Sequence, residues 1–282
     1  MSTVFYITGT SSGFGRELVL DLVNRGHKVI ATARSLHKIS DLAGHSNVRT
    51  QELDLTSAPD VLEKKVAEAI TLFGHIDVLV NNAGYSQTGC FEEVSDAEVR
   101  KQYDTNVFGT VSLTRAFLPY FRSTPSESTI CTVTSVGGTV GFGACSAYTS
   151  TKFALEGFFE GLNLEVTMSQ LPIKVLIIAP GAFRTDFIGN VQKSEKSLDV
   201  YKPIKDFVGS FFDQIDTTGG DCKIGAKLMA DALLKEGFAK DKDIPLRLPI
   251  GSDAVNLPLD KFKRESKVYE EWRPFAAESD AK

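Results

Sequence analysis

The sequence predicts a doubly wound α/β fold, in which helices cover both faces of a parallel sheet of about seven strands. β-Branched and aromatic residues recur in six short runs, at residues 4–8, 28–32, 48–53, 76–81, 128–134 and 174–179. Longer stretches with helical periodicity separate these runs. The runs are almost continuously apolar, as expected of strands buried on both faces of a parallel sheet. Because no internal repeat or linker interrupts the pattern, we expect residues 1–282 to form one domain.

The first two predicted helices have recognisable ends. Residues 13–25 carry leucines at helical spacing and end before Gly26. Residues 58–73 follow Ser57, a candidate N-cap, and have a proline in the first turn.

Two longer helices are predicted in the middle of the chain. Residues 96–122 begin with the sequence SDAE, in which Ser95 and Glu98 can form a capping box. Residues 147–169 carry an apolar stripe that includes Leu155, Phe158 and Leu162.

The alternation stops after the sixth strand. Residues 182–224 mix lysine and aspartate with five phenylalanines, Phe183, Phe187, Phe207, Phe211 and Phe212. We expect this segment to form a lid over a ligand site rather than a core element. A short strand candidate, PLRLP, follows it, and residues 252–282 read as a charged helix near 252–272 with a frayed tail, AAESDAK.

Composition narrows the class of function. Apolar residues make up 42 % and charged residues 24 %, the net charge is −5, and no basic block is present. These values are typical of a globular protein and argue against a nucleic-acid partner. The four cysteines form no CxxC pair and no metal-site spacing, so we expect free thiols and no metal. No apolar run is long enough to span a bilayer and no signal peptide is recognisable, so we expect a cytoplasmic protein with no membrane insertion.

A glycine-rich turn follows the first strand and opens the first helix. Its candidate binding residues are Gly9, Ser11, Ser12, Gly13, Phe14 and Gly15. Glycines let the backbone turn sharply and approach a pyrophosphate, and the helix N-terminus supplies N–H donors. A plain tight turn is the alternative, but the position between a strand and a helix favours a dinucleotide site.

Candidate specificity residues follow the next two strands. NAD-binding folds usually have an acidic residue after the second strand, whereas an arginine suits the 2′-phosphate of NADP(H). No acidic residue lies between Val29 and Leu36, and Arg34 is present. A surface arginine without a ligand is the alternative. Asp54 and Leu55 follow the third strand and can border an adenine ring, although aspartate is also common in turns.

The fourth strand ends in Asn81-Asn82-Ala83-Gly84. Small residues here would let the backbone approach a cofactor, so Asn82, Ala83 and Gly84 are candidate contacts; a simple turn is the alternative. Asn106 lies in the middle of the predicted helix 96–122, where asparagine is disfavoured. It can bend that helix and hold a water, or it can face solvent.

A tyrosine and a lysine lie four residues apart at the start of the helix after the fifth strand, so they share one helix face. These are Tyr148 and Lys152, and Ser135 ends the fifth strand. An ammonium close to a phenol lowers the pKa of the phenol, and a tyrosine tuned in this way can act as a general acid or base. Ser135 can hydrogen-bond the same substrate oxygen. A lone YxxxK pair would be a coincidence, but the glycine turn and NNAG make that interpretation unfavourable.

Together these motifs resemble the short-chain dehydrogenase/reductase family in its single-domain branch, over roughly residues 3–190. The matching pieces are T-G-x-x-x-G-x-G, NNAG, Asn106, the Ser135–Tyr148–Lys152 set, and Pro180-Gly181 followed by Thr185. The stretch TSVGG…YTSTKFALEGF is most similar to members resembling hydroxysteroid and retinol dehydrogenases and to related microbial carbonyl reductases.

The resemblance implies a Rossmann-type fold and a hydride-transfer mechanism. NADP(H) lies along the strand ends, with its nicotinamide amide near Thr185. Tyr148 protonates the substrate oxygen, Ser135 orients it, Lys152 binds the ribose hydroxyls and lowers the Tyr148 pKa, and Asn106 keeps a water for proton relay. Many family members are homodimers or homotetramers, so either assembly is possible for this chain.

We therefore expect an NADP(H)-dependent oxidoreductase that interconverts a carbonyl and an alcohol on a hydrophobic small molecule. An NAD-preferring alcohol dehydrogenase of the same family is the first alternative, and Arg34 decides between the two. A non-catalytic protein that senses NADP(H) is the second alternative, but relatives of that kind usually lack the Tyr/Lys pair.

Overall fold

The computed structural model describes residues 2–185 and 191–280. Phe187, one of the five phenylalanines of the predicted lid, lies outside the described residues.

Within the described residues, seven parallel strands form the central sheet. They are β1 (Val4–Ile7), β2 (Lys28–Ala33), β3 (Val48–Glu52), β4 (Val78–Asn81), β5 (Ser128–Val133), β6 (Ile173–Pro180) and β7 (Arg247–Ile250). Their order across the sheet is β7-β6-β5-β4-β1-β2-β3. The direction of strand addition reverses between β1 and β4, and in such sheets the ligand crevice lies outside the carboxyl ends of the strands at this point. The predicted doubly wound fold is confirmed.

Eight α-helices are described. They are α1 (Gly13–Asn24), α2 (Pro59–Phe73), α3 (Asp96–Tyr103), α4 (Thr110–Ser123), α5 (Ser146–Met168), α6 (Lys202–Thr218), α7 (Cys222–Leu234) and α8 (Ser252–Ala277). None of those described combines the length and the apolar character that a membrane-spanning helix needs.

The sheet separates two hydrophobic cores. Helices α1 and α7 pack on one face, where Leu18, Leu22 and Met229 are fully buried. Helices α2, α4 and α5 pack on the other, around residues such as Phe117 and Phe159. Because each strand is covered on both faces, its side chains are apolar in both directions, which explains the unbroken apolar runs in the sequence.

Two predicted helix boundaries need correction. The N-cap of α2 is Ala58 rather than Ser57, and its side chain makes no capping bond; Pro59 occupies the first turn as predicted. By contrast, Ser95 and Glu98 form the predicted capping box at the start of α3. The C-terminal helix α8 extends to Ala277, beyond the predicted end near residue 272, so the beginning of the predicted frayed tail is helical.

The predicted helix 96–122 is divided by a π-helical turn, Asp104–Gly109. Asn106 lies in this turn and is buried, so its solvent-facing alternative is wrong. A Cβ atom on Gly109 would lie 2.5 Å from the carbonyl oxygen of Leu55, so only glycine allows this turn to approach the loop after β3. The extra residue of a π turn changes the direction in which nearby side chains point, and such turns are frequent at functional sites.

The segment predicted as a lid is more regular than its sequence suggested. Helix α6 occupies its centre and α7 begins at Cys222. Two short strand pairs involve the segment. Gln192–Lys193 pairs with Gln87–Thr88 and connects it to the body of the protein, whereas Gly220–Asp221 pairs with Phe183–Arg184 and joins the two ends of the segment.

Candidate active site

One large cleft, about 1290 Å³ in volume, runs along the carboxyl ends of the strands. Nearly all of the predicted site residues line it: Gly9, Ser11, Ser12, Gly13, Phe14, Arg34, Asp54, Leu55, Asn82, Ala83, Gly84, Ser135, Tyr148, Lys152, Pro180, Gly181 and Thr185. Gly15 and Asn106 are the exceptions, since both lie directly behind the lining. Parallel strands bring residues that are far apart in sequence to one edge of the sheet, and this accounts for the convergence.

The glycine turn is held against the end of β4 by close backbone packing. Gly9 has a φ of +69°, and a Cβ atom there would lie 2.8 Å from the Cα of Ala83. Gly15 has no room for a side chain either, because Asn82 Nδ2 and the Gly9 carbonyl oxygen would each lie 2.4 Å from its Cβ. The Asn82 side chain donates to the carbonyls of Thr8 and Gly9, at 2.9 and 3.1 Å. The glycine turn is therefore closely packed against the end of β4 in the protein alone.

The N-terminus of α1 opens towards the cleft without a side-chain cap. Ser12 is the N-cap residue, and its hydroxyl makes no capping bond to the helix. The first N–H groups of a helix carry partial positive charge and favour an anion. Gly13 has a φ of +57°, and its Cα faces Thr185, whose Cβ would lie 3.7 Å from an added Cβ. This contact brings Thr185, predicted from the resemblance alone, to the glycine turn.

Basic side chains gather at one end of the cleft. Arg34 is exposed and follows β2, and His37 and Lys38 lie in the short turn Leu36–Ile39 directly after it. Lys101 reaches the cleft from α3. This basic end has the charge to bind a phosphate group.

The loop after β3 also lines the cleft, through Asp54 and Leu55. Asp54 accepts hydrogen bonds from the backbone N–H and the hydroxyl of Thr56, at 2.9 and 2.8 Å, which fixes its side chain in a local turn.

Asn106 is fixed behind the NNAG segment. Its Oδ1 atom accepts from the N–H of Tyr85 at 3.1 Å, and its Nδ2 atom donates to the Tyr85 carbonyl at 2.9 Å and to Thr151 Oγ1 at 3.1 Å. A Cβ atom on Gly84 would lie 3.2 Å from Asn106 Oδ1 and 3.8 Å from Lys152 Nζ. The π turn thus places an amide behind the lysine of the site.

Ser135, Tyr148 and Lys152 meet at the floor of the cleft. The Ser135 hydroxyl accepts from the N–H of Gly137 at 3.0 Å and is hydrogen-bonded to Tyr148. Lys152 is buried, donates to the carbonyl of Val133 at 3.0 Å, and has its Nζ 5.8 Å from the centroid of the Tyr148 ring. The strand end and the helix start therefore present a serine, a phenol and an ammonium to one point.

The pKa of Tyr148 differs from the prediction. Burial raises it to about 12, the hydrogen bond with Ser135 opposes that rise, and Cys145 adds to it. The predicted lowering by Lys152 is absent in the protein alone, and burial dominates because it disfavours the charged phenolate. At neutral pH the Tyr148 hydroxyl therefore keeps its proton.

Burial also acts on Lys152. It lowers the pKa of the ammonium to about 8, while the nearby carboxylate of Glu156 opposes the decrease. Lys152 is thus charged at neutral pH and loses its charge in the mildly alkaline range.

The segment after β6 is tied to the start of α8. Asp253 accepts a hydrogen bond of 2.7 Å from the N–H of Ala182. Its carboxylate fills the space beside Gly181, where an added Cβ atom would lie 2.3 Å from Asp253 Cγ. This contact fixes the Pro180-Gly181 turn at the edge of the cleft.

The other end of the cleft is apolar. Helix α6 contributes one stripe at helical spacing, namely Ile204, Phe207, Val208, Phe211, Phe212 and Ile215. Val136, Phe142, Cys145 and Leu257 line the facing side. Phe183 also lines the cleft, and its ring packs edge-on against Phe14, with ring centroids 5.0 Å apart, so it joins the lid segment to α1 and the core.

A buried ion pair fastens α6 to the body of the protein. Glu93 accepts from Lys205 Nζ at 2.9 Å and from the N–H groups of Cys90 and Leu198 at 2.8 and 2.6 Å. The bonds from Lys205, Leu198 and Cys90 lower the pKa of Glu93 to about 2. The apolar stripe therefore has a defined position over the cleft.

Several lining residues were not predicted. The sequence offered a signal for His37 and Lys38, which follow Arg34 in a short basic stretch. Phe207, Phe211 and Phe212 of the α6 stripe belong to the predicted lid, and helical spacing with Pro203 in the first turn was the signal for the rest of that stripe. No local signal distinguishes Lys101 or Asp253 from other surface charges, because only the tertiary fold brings them to the cleft.

Comparison with known proteins agrees with this geometry. The family model described as short chain dehydrogenase matches residues 3–196. The oxidoreductase BOA17 of Botryotinia fuckeliana is 34 % identical over 99 % of this chain and 100 % of its own length. The 3-ketodihydrosphingosine reductase of Bacteroides thetaiotaomicron is 38 % identical over 68 % of each chain.

Solved structures share the fold. A short-chain dehydrogenase from Streptomyces avermitilis has a TM-score of 0.87 and 35 % identity, covering 99 % of this chain and 98 % of its own. Two more distant structures show the fold alone: a Burkholderia cenocepacia short chain dehydrogenase in complex with NADP (TM-score 0.73, 22 % identity, 96 % and 97 % covered) and a Brucella melitensis 3-ketoacyl-(acyl-carrier-protein) reductase complexed with NADH (0.71, 23 %, 88 % and 96 %). With a family model that spans most of its length and a full-length relative at 34 % identity, this chain belongs to the short-chain dehydrogenase/reductase family.

Proposed function

We propose that the protein is an NADP(H)-dependent oxidoreductase that interconverts a carbonyl and an alcohol on a hydrophobic small molecule. The observation that carries the proposal is the meeting of Ser135, Tyr148 and Lys152 at the floor of one cleft, between a basic end and an apolar end. The basic end suits the phosphates of a dinucleotide, and the apolar end suits a substrate.

The residues present fit a dinucleotide cofactor. Gly9, Gly13 and Gly84 present backbone without a side chain to the cleft, and the N-terminus of α1 lacks a side-chain cap. When bound, NADP(H) supplies or accepts the hydride. The glycine turn would hold its pyrophosphate, Lys152 its nicotinamide ribose, and Thr185 its amide.

Tyr148 is the proposed acid in the direction of reduction. Since its pKa is about 12 in the protein alone, the hydroxyl is protonated at neutral pH and can give its proton to a carbonyl oxygen. Ser135 orients that oxygen, because its hydroxyl is itself held by Gly137 N–H. The Lys152 ammonium stabilises the negative charge that remains on Tyr148 after the proton leaves. In the direction of oxidation the same groups act in reverse.

Preference for NADP(H) over NAD(H) is supported by Arg34 with Lys38 beside it, since guanidinium and ammonium groups form charge-assisted hydrogen bonds to phosphate. The same basic end offers no carboxylate at the position after β2 where ribose hydroxyls are usually bound.

The proposed substrate is apolar. Among the described residues that line the cleft, Arg34 is the sole arginine and it follows β2, whereas the residues that α6 contributes are all uncharged, so no arginine is available beside the α6 stripe for a substrate carboxylate. Ligand pockets of this kind bind apolar molecules and orient them through a few polar groups, here Ser135 and Tyr148.

The test is an NADPH-consumption assay over a panel of carbonyl compounds. It should include a two-ring ketone, a long-chain 3-ketone of the type in the name of the Bacteroides relative, and pyruvate. We expect turnover of an apolar carbonyl and a decrease of about 10²- to 10⁴-fold in the Tyr148→Phe variant, with NADPH binding retained. Higher catalytic efficiency on pyruvate would contradict the apolar substrate, and more than half of the activity in Tyr148→Phe would contradict the role of Tyr148.

A further inference from the structure

Glu156 is a buried carboxylate that the proposed mechanism does not use. It lies on α5 one turn after Lys152, and only 5 % of its surface is exposed. Both of its oxygen atoms are engaged: Oε1 accepts from the hydroxyl of Thr134 at 2.7 Å, and Oε2 accepts from Arg247 Nε at 2.6 Å. Burying a carboxylate destabilises a protein unless the charge is paired in this way, so we asked what Glu156 does next to the site.

The contacts of Glu156 lie on both sides of Ser135 in the chain. Thr134 immediately precedes Ser135, and a Cβ atom on Gly138, three residues after Ser135, would lie 2.9 Å from Glu156 Cγ. Glu156 shares α5 with Tyr148 and Lys152. One side chain therefore connects the segment that carries Ser135 with the helix that carries the other two groups.

The charges around this carboxylate are few. Among the described residues, Lys152 lies on the same helix and Arg247 approaches from β7. Glu160, one turn further along α5, lies 3.6 Å from the other end of the same arginine and is 60 % exposed. Lys152 itself faces Tyr148 and the Val133 carbonyl, and Glu156 is the charged group that raises its pKa against burial.

We propose that Glu156 is a positioning residue for the reaction: it holds Ser135 in register with Tyr148 through Thr134, it keeps a negative charge beside Lys152, and Arg247 anchors it to β7. This inference rests on the proposed function for its kinetic part. Its electrostatic part concerns the chain's own residues and can be measured without cofactor or substrate.

The electrostatic part is tested by NMR titration of lysine side chains in the full-length protein alone, with the Lys152 signal assigned by its loss in Lys152→Met. Glu156→Gln keeps the size of the side chain and an acceptor for Thr134 but removes the charge. We expect it to lower the Lys152 pKa by about one pH unit. The matched control is Glu160→Gln, which removes an exposed carboxylate from the same arginine and should leave the Lys152 pKa unchanged. An unchanged Lys152 pKa in Glu156→Gln would overturn the electrostatic role.

The positioning part is tested with Thr134→Val, which removes the hydroxyl at almost constant volume, and with Thr134→Ser, which keeps it. In Thr134→Val we expect kcat for ketone reduction to fall about 10-fold, while KM for NADPH stays within twofold of the unmodified protein. In Thr134→Ser we expect kcat to return to the value of the unmodified protein. A merely structural role would lower the fraction of folded protein and the melting temperature without this split between kcat and KM, and that result would overturn the proposal. If the unmodified protein reduces no carbonyl while Glu156→Gln still shifts the Lys152 titration, the proposed function is wrong and the charge coupling stands.

Discussion

Replacing Phe207 and Phe211 with alanine is expected to weaken the use of bulky apolar ketones and to leave the fold intact. Both rings lie in the α6 stripe that lines the cleft, and 69 % and 47 % of their surfaces remain exposed. Complete burial of a phenylalanine side chain contributes about 1.5–3 kcal/mol. A substrate that covers the exposed fractions therefore gains about 1.5 kcal/mol from Phe207 and about 1 kcal/mol from Phe211.

The assay compares kcat/KM for a two-ring ketone with kcat/KM for acetone in the same NADPH-dependent reaction. Since each 1.4 kcal/mol corresponds to a factor of about ten, the double variant should lose about 50- to 100-fold on the two-ring ketone and little on acetone. The free energy of unfolding should decrease by about 2 kcal/mol, because the parts of the two rings that are buried in the folded protein are lost as well.

Val200→Ala is the matched control for this experiment. Val200 is 74 % exposed in the turn just before α6, and it does not line the cleft. It should therefore leave both values of kcat/KM unchanged. An equal loss on acetone and on the two-ring ketone in the double variant would refute the reasoning, since the α6 stripe would then act on the fold or on the cofactor rather than on substrate size.

Two further predictions concern the other side of the cleft. We expect the unmodified protein to bind NADPH about 10- to 100-fold more tightly than NADH, because Arg34 makes a charge-assisted contact with the 2′-phosphate. Arg34→Asp should reduce or reverse this preference, and titration of the nucleotide fluorescence measures both affinities. Equal affinities in the unmodified protein would contradict the role of Arg34. Burial lowers the Lys152 pKa to about 8, so its charge is present below that pH and lost above it, and kcat for ketone reduction should decrease above about pH 8. Lys152→Met should be slow at every pH and bind NADPH more weakly, and a pH profile of the unmodified protein that stays flat to pH 10 would contradict the assignment.

The order of elements and the location of the site could be predicted from the sequence. The periodicity of apolar residues is a local property, and it identified each strand of the central sheet within a few residues of its ends. The convergence of Gly9, Asn82, Ser135 and Tyr148 then follows from topology, because the carboxyl ends of parallel strands meet at one edge. Motifs that occupy those ends thus predict a site without knowledge of any side-chain contact.

Other features depend on contacts between distant segments and could not be predicted. Burial raises the pKa of Tyr148, whereas the spacing of Tyr148 and Lys152 had predicted a decrease; spacing reports proximity but not loss of solvent. The π turn at Asn106 depends on the packing of Gly109 against Leu55, which lies in another part of the chain.

The motif residues could be predicted from local sequence, whereas the residues that support them could not. The sequence by itself determined the parallel α/β architecture, the serine after a strand end, and the tyrosine and lysine at the start of the following helix, because periodicity and local spacing decide these features. Only the tertiary structure decided that Glu156 connects Thr134 to Arg247, and that α6 turns its apolar stripe towards the cleft. These contacts join residues from separate elements, and their energies depend on burial and distance, which no local pattern of residues contains.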